Sequence, residues 1–197
     1  MTIYVTSDLH LGHANILKYT DRHKFYSNIK DHDESIIETI NKYVKSKDTL
    51  YILGDITFKS PEQLFYRLKC NKIVIVPGNH DRWIKEKHSK EYTSIDTNED
   101  QQIIITDLIT ELKDNLNSFV MSHYPLARWN KGHYGSYMLH GHCHGSFNTE
   151  NTNCRRLDVG WDNFYKPITL DQIIQIKKSV PTSVKHHNNN NENDDES

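Results

Sequence analysis

Three short apolar runs near the start of the chain place the strongest constraint on its fold. They read TIYVTS (2–7), TLYILGD (49–55) and KIVIVPGN (72–79), and each ends in polar residues or glycine. Short apolar runs that are rich in β-branched residues and bounded by turn residues predict buried β-strands. The two intervals between these runs are long enough for a helix each.

Helical patterns fill both intervals. Residues 33–46 place four apolar side chains on one helical stripe, namely Ile36, Ile37, Ile40 and Val44. Residues 60–69 begin with Ser60 as an N-cap and Pro61 at the first helical position, which is typical of a helix start. The order strand, helix, strand, helix, strand predicts a parallel sheet with right-handed crossovers.

The second half of the chain has a different pattern. A charged stretch at 81–92 predicts a helix, and residues 169–180 predict an amphipathic helix capped by Thr169. Between them lie four strand-like runs: QQIIIT (101–106), SFVMSH (118–123), SYMLHGH (136–142) and RRLDVGWD (155–162). No repeat or linker divides this region, so we predict one domain over residues 1–180.

Residues 181–197 differ in composition from that domain. They read PTSVKHHNNNNENDDES, which is polar, rich in Asn and without periodicity, so we predict a disordered tail. The tail carries four acidic residues and one lysine, whereas the whole chain has a net charge of only −2. The remaining body is therefore nearly neutral, and we do not expect duplex nucleic acid as a partner.

The sequence also indicates a compartment. No apolar run approaches the roughly 20 residues of a membrane span, and the first residues lack the basic segment of a signal peptide. The three cysteines, Cys70, Cys143 and Cys154, are odd in number and scattered, which argues against a disulfide framework. We expect a cytoplasmic protein with no membrane partner and no obligate protein partner.

Acidic, amide and imidazole side chains follow five of the predicted strands. They are Asp8 and His10 in SDLH, Asp55 in LGD, Asn79, His80 and Asp81 in PGNHD, His123 in MSH, and His142 and His144 in HGHCH. Ligands of open α/β sheets bind beyond the carboxyl ends of the strands. Any one of these residues is explained by a turn or a cap, but the conjunction of five strand ends predicts a metal site. Mixed carboxylate, amide and imidazole ligands suit Mn, Fe, Co, Ni or Zn.

The order of these blocks resembles the calcineurin-like metallophosphoesterase superfamily over roughly residues 6–160. That resemblance implies an α/β fold, a two-sheet αββα sandwich with a dinuclear metal centre at the strand ends. It also implies two divalent metal ions, for which Mn²⁺ is our first expectation. Two cations roughly 3.5–4 Å apart can acidify a bridging water and clamp phosphoryl oxygens for in-line attack.

The resemblance further implies a role for each motif residue. Asp8, His10 and His144 would hold one metal, Asp55 would bridge both metals, and Asn79, His123 and His142 would hold the second. His80 would face the substrate as the general acid, and Asp81 would orient the ring of His80. His142 and His144 alternate along one segment, so they share a face, whereas Cys143 points away and is expected to pack.

Several neighbouring residues keep two interpretations. His13 contacts a phosphate, or it caps or packs the following helical turn. Arg128 and Trp129 offer a guanidinium and a stacking surface to a nucleotide, or they pack on the surface. His140 is expected in a hydrogen-bonded or core role rather than as a ligand, and Asp158 in an ion pair or a strand-end contact.

Departures from the family pattern restrict the substrate. Protein phosphatases and dinucleoside tetraphosphatases of the superfamily carry a GDxVDRG block, but residues 54–60 read GDITFKS. The segments SDLHLGHANI, SHYPLARWN and RLDVGWDNFYKPITL resemble small bacterial and phage members known mainly as predicted phosphoesterases. We therefore predict a metal-dependent phosphoesterase acting on the phosphomono- or phosphodiester bond of a small nucleotide-like substrate. The alternatives are a metal-dependent nuclease and a non-catalytic interaction scaffold on the same fold.

Overall fold

A six-stranded sheet forms the larger layer of the molecule. The structure is a computed structural model that describes residues 1–86, 91–92, 100–114, 116–147 and 154–179. The strands of this sheet are β1 (Ile3–Thr6), β2 (Thr49–Ile52), β3 (Lys72–Ile75), β4 (Glu91–Tyr92), β5 (Gln102–Ile105) and β10 (Ile168–Thr169). Their spatial order is β10-β1-β2-β3-β5-β4. The four central strands are parallel, as the sequence predicted for β1, β2 and β3, and only the edge strands β10 and β4 run antiparallel to their neighbours.

A four-stranded sheet forms the second layer. Its strands are β6 (Ile109–Asp114), β7 (Asn117–Ser122), β8 (Tyr137–His140) and β9 (Arg156–Asp158), in that spatial order. Side chains of both sheets share one apolar cluster, in which Val5 of β1 and Leu53, just after β2, lie with Phe119, Met121 and Leu139 of the small sheet. The expected two-sheet α/β sandwich is confirmed.

Helices cover the outer face of the large sheet and one of its edges. The helices are α1 (Ile16–Tyr19), α2 (Ile29–Tyr43), α3 (Pro61–Arg67), α4 (Arg82–Glu86), α5 (Trp161–Phe164) and α6 (Leu170–Lys177), with short 3-10 helices at Asp21–Lys24 and Gly132–Tyr134. The predicted stripe of α2 is buried in a second apolar cluster with β2, β3 and α3. No helix within the described residues is long and apolar enough to cross a membrane.

Side-chain caps set two of the helix starts. Helix α2 begins four residues before the predicted position, because the side chain of Asn28 accepts hydrogen bonds from the backbone N–H groups of Lys30 and Asp31. Helix α6 begins where it was predicted, with Thr169 and Gln172 in a reciprocal capping box.

One prediction of secondary structure was wrong, and one strand of the smaller sheet was missed. The stretch 81–92 is not one helix, since α4 ends at Glu86 and the residues Glu91–Tyr92 pair with β5 instead. Strand β6 was missed because its sequence, ITELKD, is largely polar and its side chains are half-buried or exposed at a sheet edge. The predicted disordered tail lies outside the described residues.

Candidate metal centre

The carboxyl ends of the strands bring six of the seven predicted ligands into two groups. Cluster A consists of Asp8, His10 and His144, and cluster B consists of Asp55, His123 and His142. Within each cluster one possible ligand atom per residue lies within 4.8 Å of the others. Cluster A joins the loops after β1 and β8, and cluster B joins the loops after β2, β7 and β8. The family resemblance implied the same division of the histidines and Asp8, with Asp55 shared between the two metals and Asn79 added to the second.

Backbone strain is concentrated at these ligands. Seven non-glycine residues in the described chain have positive φ, and five of them are cluster residues: Asp8 (57°), His10 (50°), Asp55 (53°), His142 (69°) and His144 (46°). This region of φ disfavours side chains with a Cβ, so the surrounding contacts must hold these loops in place. Two such contacts continue the backbone pairing of β1 with β2. The N–H of Asp8 donates to the backbone carbonyl of Gly54, and the N–H of His10 donates to the backbone carbonyl of Asp55, each at 3.0 Å.

Close backbone packing below the ligands requires glycine at two motif positions. A Cβ on Gly78 would lie 2.4 Å from Oδ1 of Asp55. A Cβ on Gly141 would lie 2.0 Å from Oγ of Ser7 and 2.3 Å from Oδ2 of Asp8. The glycines of GN and GHCH therefore allow the ligand loops to approach one another.

His10 has the donor chemistry of a metal ligand. Its side chain is buried, and neither ring nitrogen has a hydrogen-bond partner among the described residues. Its Nε2 lies 3.9 Å from Oδ1 of Asp8 and 3.7 Å from Oδ2 of Asp55. Burial lowers the pKa of His10 to about 2, so the ring is neutral and has a free lone pair.

The other two residues of cluster A are held from behind. Both oxygens of Asp8 accept the backbone N–H of His142, at 3.1 and 2.9 Å. Burial raises the pKa of Asp8 to about 6, against the opposing charges of His123 and His144. Nδ1 of His144 lies 2.7 Å from Oδ2 of Asp162, so the opposite ring nitrogen is left for a ligand.

His123 shows the same arrangement in cluster B. Its Nδ1 donates to the carbonyl of Leu53 at 2.8 Å, and its Nε2 faces Oδ1 of Asn79 at 2.9 Å and Oδ2 of Asp55 at 3.5 Å. In the neutral ring Nε2 carries a lone pair, so three electron-rich atoms would converge there. Burial would lower the pKa of His123, but the contact with Asp55 and the charge of Asp8 outweigh it and raise the pKa to about 9. A proton or a metal cation between Nε2 of His123 and the oxygens of Asn79 and Asp55 would remove this repulsion.

Asp55 lies between the two clusters. Its Oδ2 approaches His10 of cluster A and His123 of cluster B, and its Oδ1 accepts the backbone N–H of His80 at 2.9 Å. Burial would raise the pKa of Asp55, but the close contact with His123 and the charge of that ring lower it to about 2. An ionised carboxylate in this position can contact both metal sites.

The residues of the two clusters fit a pair of divalent ions. A transition-metal ion lies about 2.0–2.2 Å from each nitrogen or oxygen ligand, so two of its ligands are separated by less than about 4.4 Å. The separations of 3.5–3.9 Å between Asp55 or Asp8 oxygens and imidazole nitrogens are too long for hydrogen bonds but lie within that limit.

The position of Asp81 requires a correction. We expected its carboxylate to orient the ring of His80. Instead it is buried and accepts three backbone N–H groups, from Asp55 at 2.8 Å, Ile56 at 3.0 Å and Gly78 at 2.8 Å. These loops have no strand partner for those N–H groups, so satisfying them outweighs a contact with an exposed ring. Asp81 thus supports the loop that carries Asp55.

His80 and His13 line the open side of the clusters. The side chain of His80 is 41% exposed, and its Nε2 lies 4.0 Å from Oδ2 of Asp55. The ring of His13 stacks on Phe58 with centroids 4.3 Å apart and lies 5.6 Å from that of His10. Both histidines are therefore beside the metal ligands, and His13 combines packing with access to the site.

The remaining candidates lie elsewhere or serve the fold. Arg128 is exposed in the loop after β7. Trp129 packs over Gly132 and donates its Nε1 to the carbonyl of Ser136 at 3.2 Å, which favours the packing interpretation. His140 is buried with Nδ1 against the carbonyl of Gly141, and it belongs to neither cluster.

Two further predictions concern residues near the GHCH segment. Cys143 is a free thiol outside both clusters, and burial raises its pKa to about 11. Asp158 makes the strand-end contact, accepting the backbone N–H groups of Gly145 and Gly160 at 2.9 and 2.8 Å.

Sequence reasoning missed four residues around the site. Asp162 and the buried Arg22 lie behind cluster A, whereas Phe58 and Tyr124 border the open side. Asp162 is the last residue of the strand-like run RRLDVGWD, so its position resembles that of the predicted ligands at strand ends. Arg22 gave no such signal, because it is 140 positions away from Asp162 in the chain.

Comparisons with known proteins agree with this architecture. The family model for calcineurin-like phosphoesterases matches residues 1–196. An uncharacterized protein of Methanocaldococcus jannaschii is 28% identical over 184 residues, which cover 88% of this chain and 90% of that protein. The gene 66 protein of Mycobacterium phage D29 is 26% identical over 200 residues, covering 90% of this chain and 96% of the phage protein. A crystal structure of a protein of unknown function from Aquifex aeolicus superposes with a TM-score of 0.65 at 22% identity, over 89% of this chain and 98% of that one.

The fold and the paired clusters thus define a two-sheet α/β protein with a candidate dinuclear metal centre. The chain belongs to the calcineurin-like phosphoesterase family. Membership implies metal-dependent hydrolysis of phosphoesters and a dinuclear divalent metal site, for which clusters A and B are the candidates.

Proposed function

We propose that the chain hydrolyses phosphomono- or phosphodiester bonds in small nucleotide-like substrates, with Mn²⁺ as the first candidate for its two ions. Cluster A would hold one ion, and cluster B with Asn79 would hold the other, with Asp55 shared. The observation that carries this proposal is His10, a buried neutral imidazole whose unpartnered Nε2 lies beside two carboxylates. Leaving such a nitrogen unsatisfied costs free energy, and a bound cation removes that cost.

The chemistry divides between the ions and the chain. When bound, two divalent ions supply an activated water and offset the charge of the phosphoryl oxygens. Water then adds to phosphorus as the bond to the leaving alkoxide breaks. His80 is proposed to donate a proton to that alkoxide, since it is an exposed imidazole next to Asp55 that belongs to neither cluster. Asp81 acts through the backbone, by holding the loop from which Asp55 projects.

A panel of esters tests the proposed activity. With Mn²⁺ added to metal-free protein, we expect hydrolysis of p-nitrophenyl phosphate, its bis-ester, or 2′,3′- or 3′,5′-cyclic nucleotides. The matched control is His142→Ala, which removes a ligand from the more exposed cluster. Oligonucleotide and duplex DNA substrates form a second arm of the panel. Cleavage of DNA alone would replace the proposal with the nuclease alternative, and Mn²⁺ binding without any turnover would support the scaffold.

Two exposed aromatic rings support a substrate with a flat group. Phe58 is 46% exposed and lies 5.9 Å from the ring of His10 in a stacked arrangement. Tyr124 is 47% exposed and lies 4.6 Å from the ring of His142. One aromatic surface thus borders each cluster. Exposed aromatic rings offer stacking surfaces to nucleobases without selecting a particular base.

Phe58→Ala is expected to weaken binding of nucleotide esters selectively. Stacking of one base contributes about 1–3 kcal/mol, so KM should rise roughly 5- to 150-fold on a cyclic nucleotide. KM on methyl phosphate, which has no ring, should stay within about twofold. Tyr66→Ala removes another exposed aromatic ring, on α3, and serves as the control. Equal changes on both substrates would contradict a stacking role for Phe58.

A further inference from the structure

Behind cluster A lies a fully buried arginine whose hydrogen bonds are all used. Arg22 belongs to the 3-10 helix Asp21–Lys24, and its side chain has no exposed surface. Its Nε and Nη2 donate to the two oxygens of Asp162 at 2.8 Å each, and Nη2 also donates to the carbonyl of Asp8 at 2.6 Å. Its Nη1 donates to the carbonyl of Leu9 at 2.9 Å and to Nε2 of His32 at 3.0 Å. A guanidinium has five N–H bonds, so all of them are satisfied.

These acceptors connect Arg22 to every member of cluster A. The carbonyls of Asp8 and Leu9 belong to the segment in which Asp8 and His10 both have positive φ. Asp162 accepts from Arg22 with the same Oδ2 that lies 2.7 Å from Nδ1 of His144. One guanidinium therefore ties the strained loop after β1 to the carboxylate that orients the ring of His144.

His32 supports the guanidinium from the opposite side. Arginine only donates, so Nε2 of His32 must accept and the ring proton resides on Nδ1. That Nδ1–H donates to Oδ1 of Asp33 at 2.9 Å, and Asp33 also accepts from the backbone of Gly12 and from Nζ of Lys59. The direction of each of these hydrogen bonds is therefore determined. Contacts with His32 of α2 on one side and with the loop of cluster A on the other hold the guanidinium in one orientation.

We propose that Arg22 is a positioning residue that holds cluster A, and not cluster B, in its metal-binding geometry. This inference rests on the proposed function, because it assigns a support to one of the two proposed metal sites. A buried ion pair adds little net stability compared with apolar packing, so fold stability alone does not account for a buried arginine with five directed bonds. Residues that orient a metal ligand typically contribute 10- to 100-fold to metal affinity.

Titration of metal-free protein with Mn²⁺ tests the proposal by calorimetry, without reference to turnover. The wild type should bind two ions, whereas Arg22→Lys should bind one of them about 10- to 100-fold more weakly and the other within about threefold. Lysine keeps the charge but replaces a planar five-donor group with a point charge that cannot reach the same acceptors. Arg156→Lys is the matched control, since Arg156 is also buried but donates to Leu126 and packs on Phe147.

Double variants, which combine Arg22→Lys with the loss of one metal ligand, identify the cluster whose ion is weakened. His144→Ala should weaken the same ion, so Arg22→Lys should have a smaller additional effect in that background, because only its support of the loop after β1 remains, whereas in His142→Ala its full effect should persist. If Arg22→Lys does not fold, judged by circular dichroism, Asp162→Asn takes its place, because it keeps the shape of the side chain and removes the ion pair. It should show the same weakening of one ion.

The possible outcomes separate this inference from the proposed function. No Mn²⁺ binding by the wild type would contradict the metal centre itself. Two ions in the wild type with equal weakening of both in Arg22→Lys, or with no weakening, would overturn only the positioning role. Failure of both Arg22→Lys and Asp162→Asn to fold would assign these residues to fold stability and would also overturn it.

Discussion

Asp55→Ala is expected to impair both metal sites at once. The lost carboxylate lies 3.7 Å from Nε2 of His10 and 3.5 Å from Nε2 of His123, so each cluster loses an anionic oxygen. Even residues that only support a ligand contribute 10- to 100-fold, so the loss of a shared ligand should lower activity by more than about 100-fold. After reconstitution with excess Mn²⁺, elemental analysis should find two ions per wild-type chain and less than one per variant chain.

Two further variants show whether the loss depends on the charge of Asp55 and on its position between the clusters. Asp55→Asn keeps a hydrogen-bond acceptor for the backbone N–H of His80 but removes the charge, so it should reproduce most of the loss. Asp48→Asn changes an aspartate that accepts the backbone N–H groups of Thr2 and Lys45 away from the clusters, and it should retain two ions. Loss of a single ion in Asp55→Ala would show that Asp55 serves one cluster only.

His80→Ala is expected to leave both ions bound but to slow turnover by about 10²- to 10⁴-fold on an ester with a poor leaving group. His80 belongs to neither cluster, and its Nε2 is 4.0 Å from Oδ2 of Asp55, on the exposed side. A general acid stabilises the departing alkoxide only. The loss should therefore shrink on p-nitrophenyl esters, because p-nitrophenolate departs without a proton.

Leaving-group dependence distinguishes this role from simple phosphate binding. If His80 binds the ground-state phosphate, KM should rise and the penalty should be the same for good and poor leaving groups. His133→Ala removes an imidazole from outside the two clusters and provides the control. Retained metal with a uniform loss of kcat/KM across a series of leaving groups would reject the general-acid role and leave the metal centre unaffected.

The elements that could be predicted from the sequence are those whose signals lie within a few neighbouring residues. The strands β1, β2 and β3 are short apolar runs with polar or glycine ends, and both features depend only on neighbouring residues. The stripe of α2 and the Thr169 cap of α6 are equally local. Strand β6 and the pairing of Glu91–Tyr92 are different, since an edge strand forms only where a neighbouring strand is present to pair with it.

The candidate site divides in the same way. The residues of both clusters could be predicted from the sequence, because each residue follows a strand and parallel strands present their carboxyl ends at one edge of the sheet. The partners of Asp81 could not be predicted, because the three backbone N–H groups that it accepts lie together only once the loops after β2 and β3 have met.

The sequence by itself thus determined the parallel sheet, the helices that cross over it and the kinds of side chain at its carboxyl edge. These follow from periodicity, capping and β-propensity, which act over a few residues. Only the tertiary structure decided that Phe58 and Tyr124 border the clusters and that Arg22 meets Asp162. A buried guanidinium must find all of its acceptors within one small volume, and packing alone determines which distant segments supply them.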